Sequence, residues 1–260
     1  MMVFLLYLGA VPLARAWLAL RATSLSHALT WAGIAWAAWA LVLTCEAVGW
    51  SSPGGRYGAW CLVGAAAVAV LGARRPGVAA WNFVVVGLLA VLLLPLLESL
   101  PTGDEGPKPG LPTCFLVATV LVGVGNYLPT RFGWAAGLLG LGCLLEFADR
   151  FGLGSVAVPR GGAATNACLV VVPWVAWLPS LWRRLPSDPF NRLWLTFRDR
   201  YGFVWGQRLR EQFNRSAAHA GWSAELGWSG LRPAGPVGPE DAAMVTTLQA
   251  LIKRFGVVPE

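Results

Sequence analysis

The chain has 260 residues, of which 56% are hydrophobic and 13% are charged, and its mean hydropathy is +0.58. Soluble domains carry about 25% charged residues, so this charge density excludes an ordinary water-covered globule. The formal charge of the chain is +7, and its basic residues lie mostly between apolar runs and in residues 183–260. This distribution fits an anionic bilayer surface better than a nucleic-acid partner. We therefore expect the lipid bilayer to be the main partner of the chain.

Seven apolar stretches in the first 182 residues approach the roughly 20 residues that a helix needs to cross a bilayer. They are 2–20, 25–48, 57–73, 78–97, 112–128, 132–147 and 167–182. Because hydrocarbon cannot hydrogen-bond free backbone groups, each stretch is predicted to be helical. The predicted fold class is all-α: a polytopic bundle of about seven transmembrane helices in residues 1–182.

The first stretch has a second interpretation, as a cleaved secretory signal. Residues 1–16 end in Ala14-Arg15-Ala16, which has small residues at a typical cleavage spacing. No Lys or Arg precedes the apolar run, and this favours a retained helix. Cleavage would leave six helices.

The charges of the connections predict the orientation of the bundle. Alternate connections form two sets, and one set carries arginines without compensating acids: Arg21, Arg74, Arg75, Arg131, Arg183 and Arg184. The other set is longer and mixes Arg56 with acidic residues. The positive-inside rule assigns the first set to the cytoplasm. We therefore expect an external N-terminus and a cytoplasmic C-terminus, in a plasma or inner membrane.

Residues 183–260 are predicted to form a basic, mostly helical tail domain. Ser187-Asp188-Pro189 is typical of a helix start, and Gly202 and Gly206 are expected to bend the helix that follows. One face of this helix repeats at helical spacing, with an arginine beside it: Trp194, Phe197, Tyr201, Trp205, Arg208, Leu209 and Phe213. Either the face lies on anionic headgroups of the inner leaflet, or it docks on the rest of the tail or on a cytoplasmic protein.

The end of the tail is predicted to be a further helix over residues 240–255. Its apolar residues share one face, on Met244, Val245, Leu248, Leu251, Ile252 and Phe255. Such a face packs against this chain or against a partner.

Sequence motifs of the common enzyme classes are missing. The chain contains no GxGxxG, Walker loop, HExxH or GxSxG, and its two histidines are His27 and His219, far apart in sequence. We therefore predict no catalytic residues, no metal ligands and no cofactor.

The candidate site consists of polar residues within or beside apolar stretches, because ionisable groups there are costly and often functional. These residues are Glu46, Glu146, Asn82 and Asn126. The two glutamates lie near the predicted outer ends of their helices. They form a cation or proton site if they converge. Otherwise each reaches headgroup water while the asparagines bond between helices.

A further packing signal is the small-residue edge formed by Gly133, Gly137 and Gly140. Such an edge allows close approach of helices within one chain or between copies, so it is a candidate oligomer contact.

The sequence favours a non-enzymatic membrane anchor, scaffold or assembly subunit. Its alternatives are a small transporter or channel-like protein that uses the carboxylates, and a membrane-embedded lipid-modifying enzyme.

Overall fold

The structure, a computed structural model, describes residues 2–50, 52–73, 78–99, 108, 110–151, 162–182, 186–232 and 239–256. Four arginines that carried the orientation argument lie outside the described residues: Arg74, Arg75, Arg183 and Arg184.

The described part of the chain is mostly helical, as the sequence predicts. Its α-helices are α1 (Met2–Leu8), α2 (Ala10–Leu20), α3 (Ser26–Ala47), α4 (Pro53–Ala69), α5 (Val78–Ser99), α6 (Leu111–Tyr127), α7 (Gly133–Arg150), α8 (Ala163–Trp182), α9 (Pro189–His219) and α10 (Pro239–Ile252). Single 3-10 turns extend α4 (Val70–Gly72) and α10 (Lys253–Phe255). A two-stranded antiparallel sheet pairs β1 (Glu225–Gly227) with β2 (Gly230–Arg232).

Among the described residues, four helical segments are long and apolar enough to cross a membrane. They are Met2–Leu20, Ser26–Ala47, Pro53–Gly72 and Ala80–Ser99. The first combines α1 and α2, because Gly9 between them keeps helical dihedral angles. The apolar parts of α6, α7 and α8 are shorter. Apolar helices of this length indicate a membrane protein.

The bundle has a packed aromatic interior and an apolar exterior. Trp39, Tyr57, Trp60 and Phe147 are almost completely buried and belong to one hydrophobic cluster. In contrast, α5 turns large apolar side chains outward, and Phe83 is 80% exposed. An apolar exterior of this kind suits hydrocarbon rather than water.

The connections between helices gather at two ends of the bundle. At one end, which we call the tail end, the α2–α3, α4–α5 and α6–α7 connections hydrogen-bond to the tail through Ser24, Val70 and Pro129. At the other end, which we call the arginine end, the last turns of α3 and α7 meet the first turns of α4 and α8 around Arg56.

The tail folds as a compact unit against the tail end. Asp188 caps α9 by accepting from the backbone N–H groups of Phe190 and Asn191, with Pro189 at the first helical position, as predicted from sequence. The β1–β2 hairpin is tied to α9 because Asn214 both donates to and accepts from the backbone of Leu226. The apolar face of α10 packs on α9.

The tail and the bundle share one hydrophobic cluster. It joins the buried faces of α9 and α10 to Leu25, Val70 and Ala73 of the bundle connections. The tail is therefore held against the helices by apolar contacts as well as by hydrogen bonds.

Candidate functional site

The two glutamates converge on one arginine at the arginine end. Arg56 Nε donates to Glu146 Oε1 at 2.9 Å, and Arg56 Nη2 donates to Glu146 Oε2 at 2.6 Å. Arg56 Nη1 donates to Glu46 Oε1 at 2.7 Å. Arg56 and Glu146 are each 8% exposed, so the planar guanidinium forms a buried two-pronged pair with one carboxylate and a single bond to the other.

The local sequence explains why Arg56 reaches both acids. Glu46 lies in the last turn of α3, and a short turn leads to Ser52, whose hydroxyl caps α4 by accepting from Gly55 N at 3.0 Å. Arg56 therefore sits in the first turn of α4, beside the end of α3 in an antiparallel pair. Glu146 lies near the end of α7, where the ring centre of the adjacent Phe147 is 5.9 Å from that of Trp60 in α4.

Further polar groups complete the cluster. Arg150, one turn after Glu146, lies 3.7 Å from Glu146 Oε1 and donates to the carbonyl of Pro53 at 3.0 Å. Asn166 Nδ2, from the first turn of α8, lies 3.5 Å from Glu46 Oε2. The Arg56 guanidinium lies 5.2 Å from the centre of the Trp39 ring, at cation–π distance.

The charges of this cluster balance when all groups are ionised, since two carboxylates face two guanidinium groups. Breaking a buried ion pair of this kind by removing one partner costs about 3–5 kcal/mol. In the described part of the chain no group of three or more His, Cys, Asp or Glu side chains is placed to hold a metal ion. Because its paired side chains come from four helices, the cluster is suited to joining α3, α4, α7 and α8.

Asn82 does not join the glutamates. Its Oδ1 accepts from Trp31 Nε1 at 3.1 Å, and its Nδ2 lies 3.3 Å from His27 Nδ1. These contacts link α3 to α5 near the tail end. Asn82 therefore bonds between helices, as the alternative interpretation of the asparagines expects.

Asn126 also lies at the tail end, where it supports a break in α9. Gly202 has φ +79° and ψ −167°, outside the helical range, and this break leaves nearby backbone groups without helical partners. Asn126 Oδ1 accepts from Val204 N at 2.9 Å, and its Nδ2 donates to the carbonyl of Tyr201 at 3.4 Å. The hydroxyl of Tyr127 donates to the carbonyl of Arg200 at 3.0 Å.

The aromatic face of α9 is buried within the chain, so its interpretation as a surface on lipid headgroups is wrong. Its apolar members are at most 7% exposed: Trp194, Phe197, Tyr201, Trp205, Leu209 and Phe213. They pack on α10 and on the bundle connections. Arg208 is exposed, and its guanidinium lies 5.2 Å from the Trp205 ring centre.

The small-residue edge of α7 is divided between two environments. A Cβ at Gly140 would lie 3.2 Å from Val124 of α6, and one at Gly133 would meet the backbone of Leu128. A Cβ at Gly137 would meet nothing within 4 Å. Gly140 and Gly133 are thus used for packing inside the chain, and Gly137 alone of the three faces open space.

The candidate site predicted from the sequence lacked three members of the cluster: Arg56, Arg150 and Asn166. Arg56 and Asn166 lie in first turns that the hydropathy limits excluded, because α4 begins at Pro53 and α8 at Ala163 rather than at 57 and 167, and Arg150 lies in the last turn of α7, beyond the predicted limit of 147. One signal for Arg56 was present: it follows Glu46 by ten positions, and Ser52-Pro53 between them is typical of a new helix start, which predicts that the two lie side by side in a helical hairpin. No comparable signal pointed to Asn166.

No family model, curated protein or solved structure matches this chain.

Proposed function

We propose that the chain is a non-enzymatic membrane scaffold, with seven helices across the membrane and the tail as a folded cap on their cytoplasmic ends. The helices are the α1–α2 segment and α3 to α8. In this arrangement the N-terminus is outside and the tail presents a surface to a cytoplasmic partner.

The observation that carries the proposal is the docking of the tail on alternate connections. Ser24, Val70 and Pro129 belong to the same connections that carry or adjoin the uncompensated arginines. The tail itself is basic. If the tail and these three connections lie on the same side of the membrane, their basic residues follow the positive-inside rule. This arrangement supports an odd number of membrane crossings between the N-terminus and the tail.

The contacts of the tail support a scaffold rather than a moving part. Hydrogen bonds from Asn126, Tyr127 and Trp228 join it to the bundle, and its apolar core continues into the connections. The buried ion pairs at the arginine end support the same proposal, because Arg56 occupies the place where a transported cation would bind the two carboxylates.

A small transporter is the second candidate, and the convergence of Glu46 and Glu146 favours it. Ionisable groups inside a helical bundle often mark ion or proton pathways. In this alternative the carboxylates exchange Arg56 for a proton or cation during transport.

The experiment that separates the two candidates removes the ion pairs as a unit. We expect the triple variant Glu46→Leu/Arg56→Met/Glu146→Leu to reach the membrane at the wild-type level, because apolar replacement of buried ion pairs as a unit is often neutral or stabilising, and Arg150 keeps its hydrogen bond to the carbonyl of Pro53. A scaffold keeps its function in this variant. The measurement is the growth of a strain that lacks the chain and carries the variant, beside the membrane level of the protein.

The matched variant changes the exposed tail instead. Reversing Arg208 and Arg215 to Glu leaves the buried contacts in place, since both residues are exposed, and should impair a scaffold that binds a partner there. Two results together would contradict the scaffold and favour transport. One is normal growth of the strain with the reversed tail, and the other is loss of growth with the triple variant although its membrane level equals that of the wild type.

A further inference from the structure

A groove opens between the tail and the α6–α7 connection on the side of α9 opposite its buried face. It has a volume of about 410 Å³ and is lined by Pro129, Phe203, Gln207, Arg210 and Trp228. Its aromatic walls are Phe203 and Trp228, whose ring centres lie 5.5 Å apart. The groove is therefore apolar on two sides and carries one cation.

The cation has no counter-ion in the described part of the chain. Arg210 is half-buried, and its side chain makes no hydrogen bond or ion pair with any residue that the structure describes. The neighbouring carboxylate of Glu211 instead accepts from Gln207 Nε2 at 2.8 Å. In contrast, Arg198 is paired with Asp199 and also donates to the carbonyl of Trp228. The Arg210 guanidinium is thus available to an anion in the groove.

The groove is preformed by hydrogen bonds among its walls. Trp228 Nε1 donates to the carbonyl of Pro129 at 2.9 Å, which closes the groove against the bundle. The carbonyl of Trp228 accepts from Trp194 Nε1 at 3.2 Å. A ligand therefore pays little conformational entropy to order the site.

The position of the groove matches the boundary between the apolar helices and the tail. Pro129 follows α6 by two residues, and the adjacent Leu128 is 53% exposed. Trp134, in the first turn of α7, is 84% exposed, and tryptophan is enriched at the interface between hydrocarbon and headgroups. An acyl chain along α6 and α7 would bring its headgroup to the level of Arg210.

We propose that this groove binds the phosphate of an anionic phospholipid from the leaflet that faces the tail. Guanidinium groups bind phosphate oxygens with paired, directional hydrogen bonds, and anionic lipids are concentrated in the cytoplasmic leaflet. The inference rests on the proposed arrangement, in which the tail caps the cytoplasmic ends of the helices. It makes the outer face of α9, rather than its buried aromatic face, the surface that meets lipid headgroups.

The test is lipid titration of the full chain in detergent micelles, followed by native mass spectrometry. We expect phosphatidylglycerol to bind at least about tenfold more tightly than phosphatidylcholine. Arg210→Gln should raise the Kd for phosphatidylglycerol by about tenfold, the effect of about 1.4 kcal/mol. Arg192→Gln, which changes an exposed arginine in the first turn of the same helix, should leave this Kd unchanged.

Two results would overturn the proposal. One is equal affinity for the two lipids. The other is an equal Kd for Arg210→Gln and Arg192→Gln in protein that melts at the wild-type temperature. The growth assay tests the scaffold proposal separately. The lipid titration in micelles depends neither on membrane orientation nor on a protein partner. A failed scaffold proposal and a failed lipid site are therefore distinguishable.

Discussion

Arg56 is the residue on which the arginine end depends. Its guanidinium is buried and bonded to both Glu46 and Glu146, so each carboxylate is stabilised by a charge that sequence reasoning had assigned to a connection. Removal of one partner leaves the remaining buried charges without their counter-ion. The resulting loss in the free energy of unfolding should increase with the number of hydrogen bonds lost.

We expect Glu146→Gln to lower the free energy of unfolding by about 3–5 kcal/mol. Glu46→Gln should cost less, about 1.5–3 kcal/mol for one hydrogen bond to a charged group, because Glu46 makes one short bond to Arg56 and its side chain is 22% exposed. Thermal unfolding in detergent, followed by tryptophan fluorescence, measures both. Glu98→Gln is the control, since this exposed glutamate near the end of α5 forms no ion pair within the described residues; equal losses for Glu98 and Glu146 would contradict the assignment.

Gly202 is a second residue whose environment permits a clear prediction. Its φ of +79° with ψ of −167° belongs to a region that only glycine populates readily, and an added Cβ would meet the Asn126 side chain. Gly202→Ala should therefore destabilise the docked tail by about 1–3 kcal/mol, measured as a lower melting temperature. Gly125→Ala, beside Asn126 but with nothing within 4 Å of its Cβ, should be neutral or slightly stabilising; a similar loss at both positions would argue against the strained turn.

Among the elements, α9 organises the tail because its two faces have different surroundings. Phe213 is fully buried, and its ring centre lies 5.2 Å from that of Phe190. Phe203, ten residues earlier on the same helix, is 45% exposed. The amphipathic pattern thus marks an internal core, while the residues that contact the surroundings lie on the other face.

We expect Phe213→Ala to cost about 3–5 kcal/mol, as for other large-to-small changes in a core. The tail should become sensitive to limited proteolysis while α3 and α4 keep their packing. Phe203→Ala is the matched variant and should leave the protease pattern unchanged. If both variants resist the protease equally, the aromatic face of α9 is not part of a hydrophobic core.

At the scale of the whole molecule, the main feature is that the two ends of the bundle are closed by different kinds of contact. The arginine end closes α3, α4, α7 and α8 with buried ion pairs, and the tail end carries the folded cap. If the helices cross the membrane as proposed, these ends lie on opposite sides.

Single-cysteine labelling tests this arrangement in a background without the five native cysteines. Val48→Cys, at the arginine end, should react with an impermeant maleimide added to intact cells, because this residue is 68% exposed. Ala218→Cys, exposed near the end of α9, should react only after the membrane is opened. Labelling of both positions from one side would contradict the proposed topology.

The sequence alone predicts the helical class, the cap of α9 at Asp188 and a bend at Gly202 and Gly206, of which the structure has the break at Gly202. Each of these depends on local composition or on a local backbone requirement. It also identifies both carboxylates, since a glutamate within an apolar run stands out by composition. It does not reveal that they meet at Arg56. Hydropathy ends a predicted helix where polar residues begin, and Arg56 and Asn166 lie in the polar first turns of α4 and α8.

The burial of the aromatic face of α9 was decided only by the tertiary structure. Helical periodicity shows that Trp194, Tyr201 and Phe213 share a face, but an apolar face has the same pattern whether lipid, a partner or the chain itself covers it. The structure covers it with α10 and the bundle connections, and it turns Phe203 and Arg210 outward instead. The identity of the covering surface depends on how distant segments pack, which no local pattern encodes.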